Sequence, residues 1–201
     1  PKTGEVLSYV GGSIFNDSQF DRVRQSYPQS GSVFKPFIYA SAFSGGYNPS
    51  SLINDAPIIF EDENLETFWR PENYSGKFYG LTTLREALVQ SINIVSIKLL
   101  REIGIKKSSE TVDNFGFGIK RLPQDLSLAL GSGNFSPAEV ARGFSVFAND
   151  GMISDIHYVS QIKDKNGDII FDHSEIDVVN ISSISAFPVS YTHLRAHETA
   201  S

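Results

Sequence analysis

Gly31-Ser32-Val33-Phe34-Lys35-Pro36-Phe37-Ile38-Tyr39 sets a serine and a lysine three residues apart at the head of an apolar run. The run continues through Ala40 and Phe43 and stops at Gly45-Gly46, the pattern of a helix closed by glycine. Pro36 fixes where that helix begins. Inside a helix its ring collides with the carbonyl four residues back, that of Ser32, so Ser32 belongs in the first turn with no helix before it. At i, i+3 the two side chains lie on one helix face, one turn apart. A lysine held there can take the serine proton if burial lowers its own pKa. The helix N-terminus favours negative charge developing on the serine side.

Spacing alone does not make a site. With 27 Ser and 9 Lys in the sequence, chance yields about one S-x-x-K pair. A second one does occur, Ser160-Gln161-Ile162-Lys163, in a predicted strand where i and i+3 face opposite ways. Two S-x-N triplets are present. Ser91-Ile92-Asn93 sits at a junction between predicted helices, and Ser132-Gly133-Asn134 sits in a glycine-rich loop. Lys2-Thr3-Gly4 reads as a tight turn before a strand. Glu110 and Asn114 form an E-x-x-x-N without supporting context.

The remaining chain bounds the answer. It has 201 residues, 40% hydrophobic and 20% charged, the usage of one globular domain. A net charge of -6 argues against nucleic acid as a partner, because phosphate binding wants a basic patch. The absence of Cys excludes disulfides, a thiol nucleophile and cysteine zinc sites. No apolar run reaches the roughly 18 residues of a membrane span. No signal peptide opens the chain, and Pro1 is not a natural start, so an N-terminal part is expected to be missing. Residues 189–201 read as a foreign, disordered tail resembling a translated sequencing adapter. Its His193 and His197 stand at i, i+4 beside Glu198, but the order is not H-E-x-x-H and no third ligand is evident. We expect no metal and no cofactor.

Local signals place the other elements. A strand is predicted over Glu5–Val10, stopped by Gly11-Gly12, and residues 47–80 read as one long irregular stretch. Thr82 or Thr83 caps a helix with Leu84, Ala87 and Leu88, and a second helix carries Val95, Leu99 and Ile103 up to Gly104. Ser136-Pro137-Ala138-Glu139 is a capping box opening a helix that ends near Gly151. Tyr158–Lys163 and Asp168–Phe171 flank Asn166-Gly167 as a hairpin.

S-x-x-K, S-x-N and K-T-G together mark penicillin-binding proteins and related β-lactamases, with K-T-G last on a strand lining the site. Here the only K-T-G precedes the serine, so it is rejected, and the true third motif is expected beyond Pro188. Gly31–Tyr39 resembles the nucleophile segment of class A penicillin-binding proteins. Pro1-Lys2-Thr3-Gly4-Glu5-Val6, Asp55-Ala56-Pro57-Ile58, Trp69-Arg70-Pro71-Glu72-Asn73-Tyr74-Ser75-Gly76-Lys77, Leu84-Arg85-Glu86-Ala87-Leu88, Leu126–Gly131 and Phe147–Gly151 follow in the family's order. The likeness covers residues 1–188, which we take as a partial transpeptidase domain, and is nearest to the Gram-negative 1A type.

That resemblance implies an α+β fold of the serine β-lactamase and D,D-peptidase kind, with a mainly helical subdomain and an incomplete antiparallel sheet. It implies a D,D-transpeptidase that cross-links peptidoglycan stem peptides ending in D-Ala-D-Ala and is acylated by β-lactams. Ser32 would be the nucleophile, Lys35 the base, Ser91 a proton relay, and Asn93 a substrate-amide ligand that also holds Lys35. The family further implies an upstream glycosyltransferase and a membrane anchor outside the chain, at the periplasmic face of the bacterial inner membrane. Without the third motif the fragment is expected to acylate slowly. A β-lactam-sensing module and a serine β-lactamase stay open as alternatives. For the Trp69–Tyr74 run, packing of the loop is favoured over lining a substrate groove.

Overall fold

A helix that is apolar on every side has to be buried on every side. Such a helix is α1, Lys35–Ser44, in which Lys35 to Phe43 are all buried. A 3-10 turn, Gly31–Phe34, leads into it, and Pro36 sits in its first turn where no N–H is needed. The computed structural model describes residues 2–16, 18–62, 67–173, 179–180 and Val189. After α1 come β1 (Leu52–Asp55), β2 (Phe60–Asp62), β3 (Thr67–Trp69) and β4 (Gly80–Thr83). Three helices follow: α2 (Leu84–Val89), α3 (Asn93–Ile103) and α4 (Ile105–Val112). A π turn (Asp113–Phe117) and two 3-10 turns lead to α5 (Pro137–Ala148). Last are β5 (Met152–Ile153), β6 (Gln161–Lys163), β7 (Ile169–Asp172) and β8 (Val179–Asn180).

The core is aromatic around α1. Phe37 stands 4.8 Å from Phe117 and 5.4 Å from Phe147, ring centre to ring centre, and Phe34 stacks on Phe135 at 5.5 Å. Such pairs add roughly 0.5–1.5 kcal/mol each beyond the area they bury. On the other side of α1, Tyr39 meets α3 through a buried hydroxyl pair with Ser96 at 3.3 Å. The site therefore rests on a rigid, fully packed helix.

Local signals placed the helix ends well. Thr83 caps α2, its hydroxyl accepting from the Glu86 N–H at 3.2 Å. Gly104 closes α3 at φ 91°. The Ser136 and Glu139 capping box is complete, and Arg121 pairs with the same glutamate. The β6–β7 hairpin forms across Asp164–Gly167, with a bulge between Ile162 and Lys163.

Other expectations need correction. The α+β class stands, but the described strands form four separate two-stranded antiparallel ladders, β1–β4, β2–β3, β5–β8 and β6–β7. The strand expected over Glu5–Val10 contracts to a single parallel bridge from Glu5 to His157. Val6, Leu7, Tyr9 and Val10 suit a strand, but Leu7 and Val10 remain exposed, without a ladder neighbour among the described residues. Residues 47–80 are not irregular throughout, since they hold β1, β2 and β3 and reach β4. Helix α4 was not foreseen. Val189, assigned to the tail, is buried in the core cluster. Residues 190–201, with His193 and His197, lie outside the described residues. Among the described residues, no helix is long and apolar enough to cross a membrane.

Candidate active site

Ser32 lies exposed in the 3-10 turn before α1. Its turn is built against the loop of residues 131–134. The Gly31 N–H donates to the Gly131 carbonyl at 2.9 Å, and the Ser30 N–H to the Gly133 carbonyl at 3.0 Å. The Ser30 hydroxyl donates to the Gly133 carbonyl at 3.1 Å. Gly131 has φ 72°, and a Cβ there would fall 1.9 Å from the Gly31 carbonyl oxygen. Gly131→Ala is therefore expected to push the nucleophile turn aside and to cost more than about 2 kcal/mol. Urea denaturation would read that loss, and an unchanged midpoint would contradict it. The triplet Ser132-Gly133-Asn134 is thus the buttress of the serine turn. Ser132 spends its hydroxyl on that of Ser127, at 2.6 Å.

Lys35, the first residue of α1, is only 1% exposed. Its ammonium donates to the Ser91 carbonyl at 2.5 Å, the Ser91 hydroxyl at 3.0 Å and Asn93 Oδ1 at 2.7 Å. These three bonds use all three ammonium donors. Burial disfavours the charged form and brings the Lys35 pKa down to about 8. Lys35, Ser91 and Asn93, picked from the sequence, thus meet in one cluster. The Ser32 hydroxyl is not among the hydrogen-bond partners of Lys35; it stands one turn earlier, on the exposed side.

Ser91 is set by an unusual backbone. Its φ is 54°, left-handed for a residue with a Cβ. The Ser91 N–H bonds to the Leu88 carbonyl at 3.1 Å and the Ile92 N–H to that of Ala87 at 2.8 Å. This is the Schellman close of α2, with serine in the position usually held by glycine. The strain costs about 1 kcal/mol and turns both Ser91 oxygens onto Lys35. Two residues later α3 begins, so Asn93 is presented from a helix N-terminus.

Sequence reasoning did not single out Asn73. It is buried, and its Oδ1 accepts from the N–H groups of Asn93 and Ile94 at 3.0 and 3.1 Å. It thereby caps α3 from outside, since Ile92 has no side-chain oxygen to offer. Asn73 Nδ2 donates to both oxygens of Asp55, at 3.0 and 2.9 Å, and to the Lys77 carbonyl at 2.8 Å. The Asp55 carboxylate, 1% exposed, also accepts from the Tyr79 N–H. The Glu72 carbonyl takes the Asn93 amide N–H at 2.9 Å. Within the Trp69–Tyr74 run, Trp69 packs against Phe60, Tyr74 is fully exposed, and Asn73 reaches the site. The available signal was an asparagine between Pro71 and Tyr74 in a run of polar and aromatic residues.

The remaining motifs stand elsewhere. Lys2-Thr3-Gly4 lies along residues 154–157, with the Lys2 carbonyl taking the Ser154 hydroxyl and the Gly4 carbonyl the His157 N–H. Ser160 bonds to Glu5 and not to Lys163. Glu110 and Asn114 are exposed. Among the described residues, no group of three or more His, Asp or Glu is gathered for a metal ion.

Comparison with known proteins gives the family. The family model described as the penicillin binding protein transpeptidase domain matches residues 1–199. Penicillin-binding protein 1A of Pseudomonas aeruginosa is 43% identical over 171 residues, 85% of this chain and 21% of that protein. The crystal structure of penicillin-binding protein 1A from Haemophilus influenzae has a TM-score of 0.77 at 36% identity, covering 81% of this chain and 24% of that one. Penicillin-binding protein A from M. tuberculosis, solved as an imipenem acyl-enzyme complex, shares the fold with a TM-score of 0.74 at 18% identity over 90% of this chain and 46% of that one. The chain thus spans about a fifth of the curated relative's length. With the serine turn, the buried lysine and the S-x-N junction arranged on this fold, the chain belongs to the penicillin-binding protein transpeptidase domain family.

Proposed function

We propose that the chain carries the acylation half of a peptidoglycan D,D-transpeptidase, with Ser32 as nucleophile and Lys35 as its base. The observation that carries this is a buried Lys35, held by Ser91 and Asn93, one turn after an exposed serine at a helix start. Ser32 Oγ attacks the carbonyl between the two terminal D-alanines, and its proton passes to the neutral Lys35 amine. The Ser32 N–H, in a first helical turn whose N–H groups lack intrahelical acceptors, donates to the developing oxyanion. Collapse breaks the C–N bond. The leaving amine takes the proton back from Lys35 through Ser91, and an acceptor amine then releases the acyl group by the reverse route.

The assignment of Ser91 has a chemical reason. A neutral amine keeps two N–H bonds and gains a lone pair. The Ser91 carbonyl and Asn93 Oδ1 only accept, whereas the Ser91 hydroxyl can turn round and donate. Of the three partners, only the Ser91 hydroxyl can follow the lysine through both protonation states. β-Lactams, as mimics of the dipeptide, would acylate the same serine; penicillin-binding protein A from M. tuberculosis forms an acyl-enzyme with imipenem. The full-length protein would work at the periplasmic face of the inner membrane.

The full-length gene product, given a D-Ala-D-Ala stem peptide and a second amine-bearing stem peptide, is expected to release D-alanine and form the cross-linked dimer. Mass spectrometry of the products reads both. D-alanine release with only hydrolysed peptide would contradict transfer, and rapid turnover of penicillin would favour a β-lactamase.

A further inference from the structure

Asp55 and Asn73 take no part in the chemistry above, yet both are buried and both are spent on the site's second layer. We propose that Asn73, oriented by the Asp55 carboxylate, is a positioning residue that fixes Asn93 and, through it, the ammonium of Lys35 for the acylation step. This rests on the assignment of Lys35 as base.

The case is one of orientation. An asparagine side chain can flip its amide, exchanging donor for acceptor. Here Asp55 decides which end points where. Its carboxylate only accepts, and both its oxygens take Asn73 Nδ2, so Oδ1 must face the other way. On that side wait the N–H groups of Asn93 and Ile94, the open end of α3. Asn93 is thereby gripped at three points: its N–H by Asn73, its amide N–H₂ by the Glu72 carbonyl, and its Oδ1 by Lys35. The chain from Asp55 to Lys35 consists of consecutive bonds between 2.7 and 3.0 Å. Asp55 comes from β1, Asn73 from the loop between β3 and β4, and Asn93 from α3. One buried asparagine therefore ties three segments to the catalytic helix. A flipped or missing Asn73 frees Asn93 to turn, and Lys35 loses an acceptor.

The test uses two variants of the full-length gene product with opposite expected signs. The second-order rate of acylation by a fluorescent penicillin is followed from pH 6 to pH 10. Asn73→Ala releases Asn93, so the charged lysine loses an acceptor. Its acylation is expected to fall at least tenfold, with the midpoint of the pH profile moved down. In the exchange Asp55→Asn with Asn73→Asp, the pair can still bond each other and the net charge is unchanged, the bond to the Lys77 carbonyl is lost, and a full negative charge now touches the Asn93 N–H. That charge favours the ammonium, so the midpoint is expected to move up while much of the plateau rate returns. If Asn73→Ala fails to fold, the exchange alone decides. Midpoints that stay at the wild-type value would overturn the proposal, whatever the rates. A wild-type profile with no midpoint near 8, or labelling that persists in Ser32→Ala, would instead remove the assignment of Lys35 and Ser32 beneath it.

Discussion

Ser32→Ala is expected to take up no covalent penicillin at any concentration or time, while its melting temperature stays within a few degrees of wild type. The serine is exposed, and its hydroxyl contributes nothing to the packing of α1. The turn that carries it is held by backbone bonds from Gly31 and Ser30 to residues 131 and 133, which the substitution leaves in place. Surface substitutions of this kind usually change stability by less than about 0.5 kcal/mol. The loss of labelling should nevertheless be complete, since the other hydroxyl beside Lys35, that of Ser91, is spent on the ammonium. The serine of the second S-x-x-K, Ser160, is engaged with Glu5, and Ser132 with Ser127. Gel fluorescence after denaturation reads the covalent fraction, and circular dichroism reads the fold. Residual labelling would show that another nucleophile is used.

The second large effect belongs to Lys35. A positioned general base contributes roughly 10²–10⁴ in rate, so Lys35→Met should lower the acylation rate by that factor. Methionine keeps the apolar stem that α1 buries. It also strands two oxygens of Ser91 and Oδ1 of Asn93, so some stability is lost as well. Lys35→Arg should not rescue the rate, because a guanidinium stays charged throughout the accessible pH range. The pH dependence of the wild type carries the same information. The amine acts as base only when neutral, and burial brings its pKa to about 8. Below that pH the acylation rate should fall about tenfold per unit, and above it the rate should level off. Stopped-flow quenching of tryptophan fluorescence on binding of a β-lactam would follow it, with Trp69 as the reporter within this chain. A flat profile between pH 6 and pH 9 would contradict Lys35 as the base.

What the sequence revealed and what it hid have a common physical basis. Helix α1 was legible because Pro36 and Gly45 act on their own neighbours, and α5 because the Ser136 and Glu139 box closes within three residues. The β6–β7 hairpin was legible because Asp164 to Gly167 turn the chain by themselves. The strand over Glu5–Val10 failed for the opposite reason: apolar composition suits a strand, but a strand needs a partner, and among the described residues only Glu5 finds one. Likewise β1 pairs with β4 across the intervening β2 and β3, from Leu52 with Thr83 to Asp55 with Gly80, so no local pattern announced it. That Lys35, Ser91 and Asn93 belong together was legible through motif order. Asn73 was not, because its meaning lies in Asp55, 18 residues before it, and Asn93, 20 residues after. The left-handed backbone of Ser91 was hidden too, since a serine stands where a glycine would have signalled the turn.

The acyl group is expected on Ser32, under the control of Lys35. The most direct test is to acylate the full-length gene product with a slowly hydrolysed β-lactam at pH 8.5, digest it and map the modified peptide by tandem mass spectrometry. A single adduct of the intact drug mass is expected on the Ser32 hydroxyl, formed at a strongly reduced rate in the Lys35→Met protein. An adduct on any other residue, or one formed on Ser32 equally fast without Lys35, would contradict it.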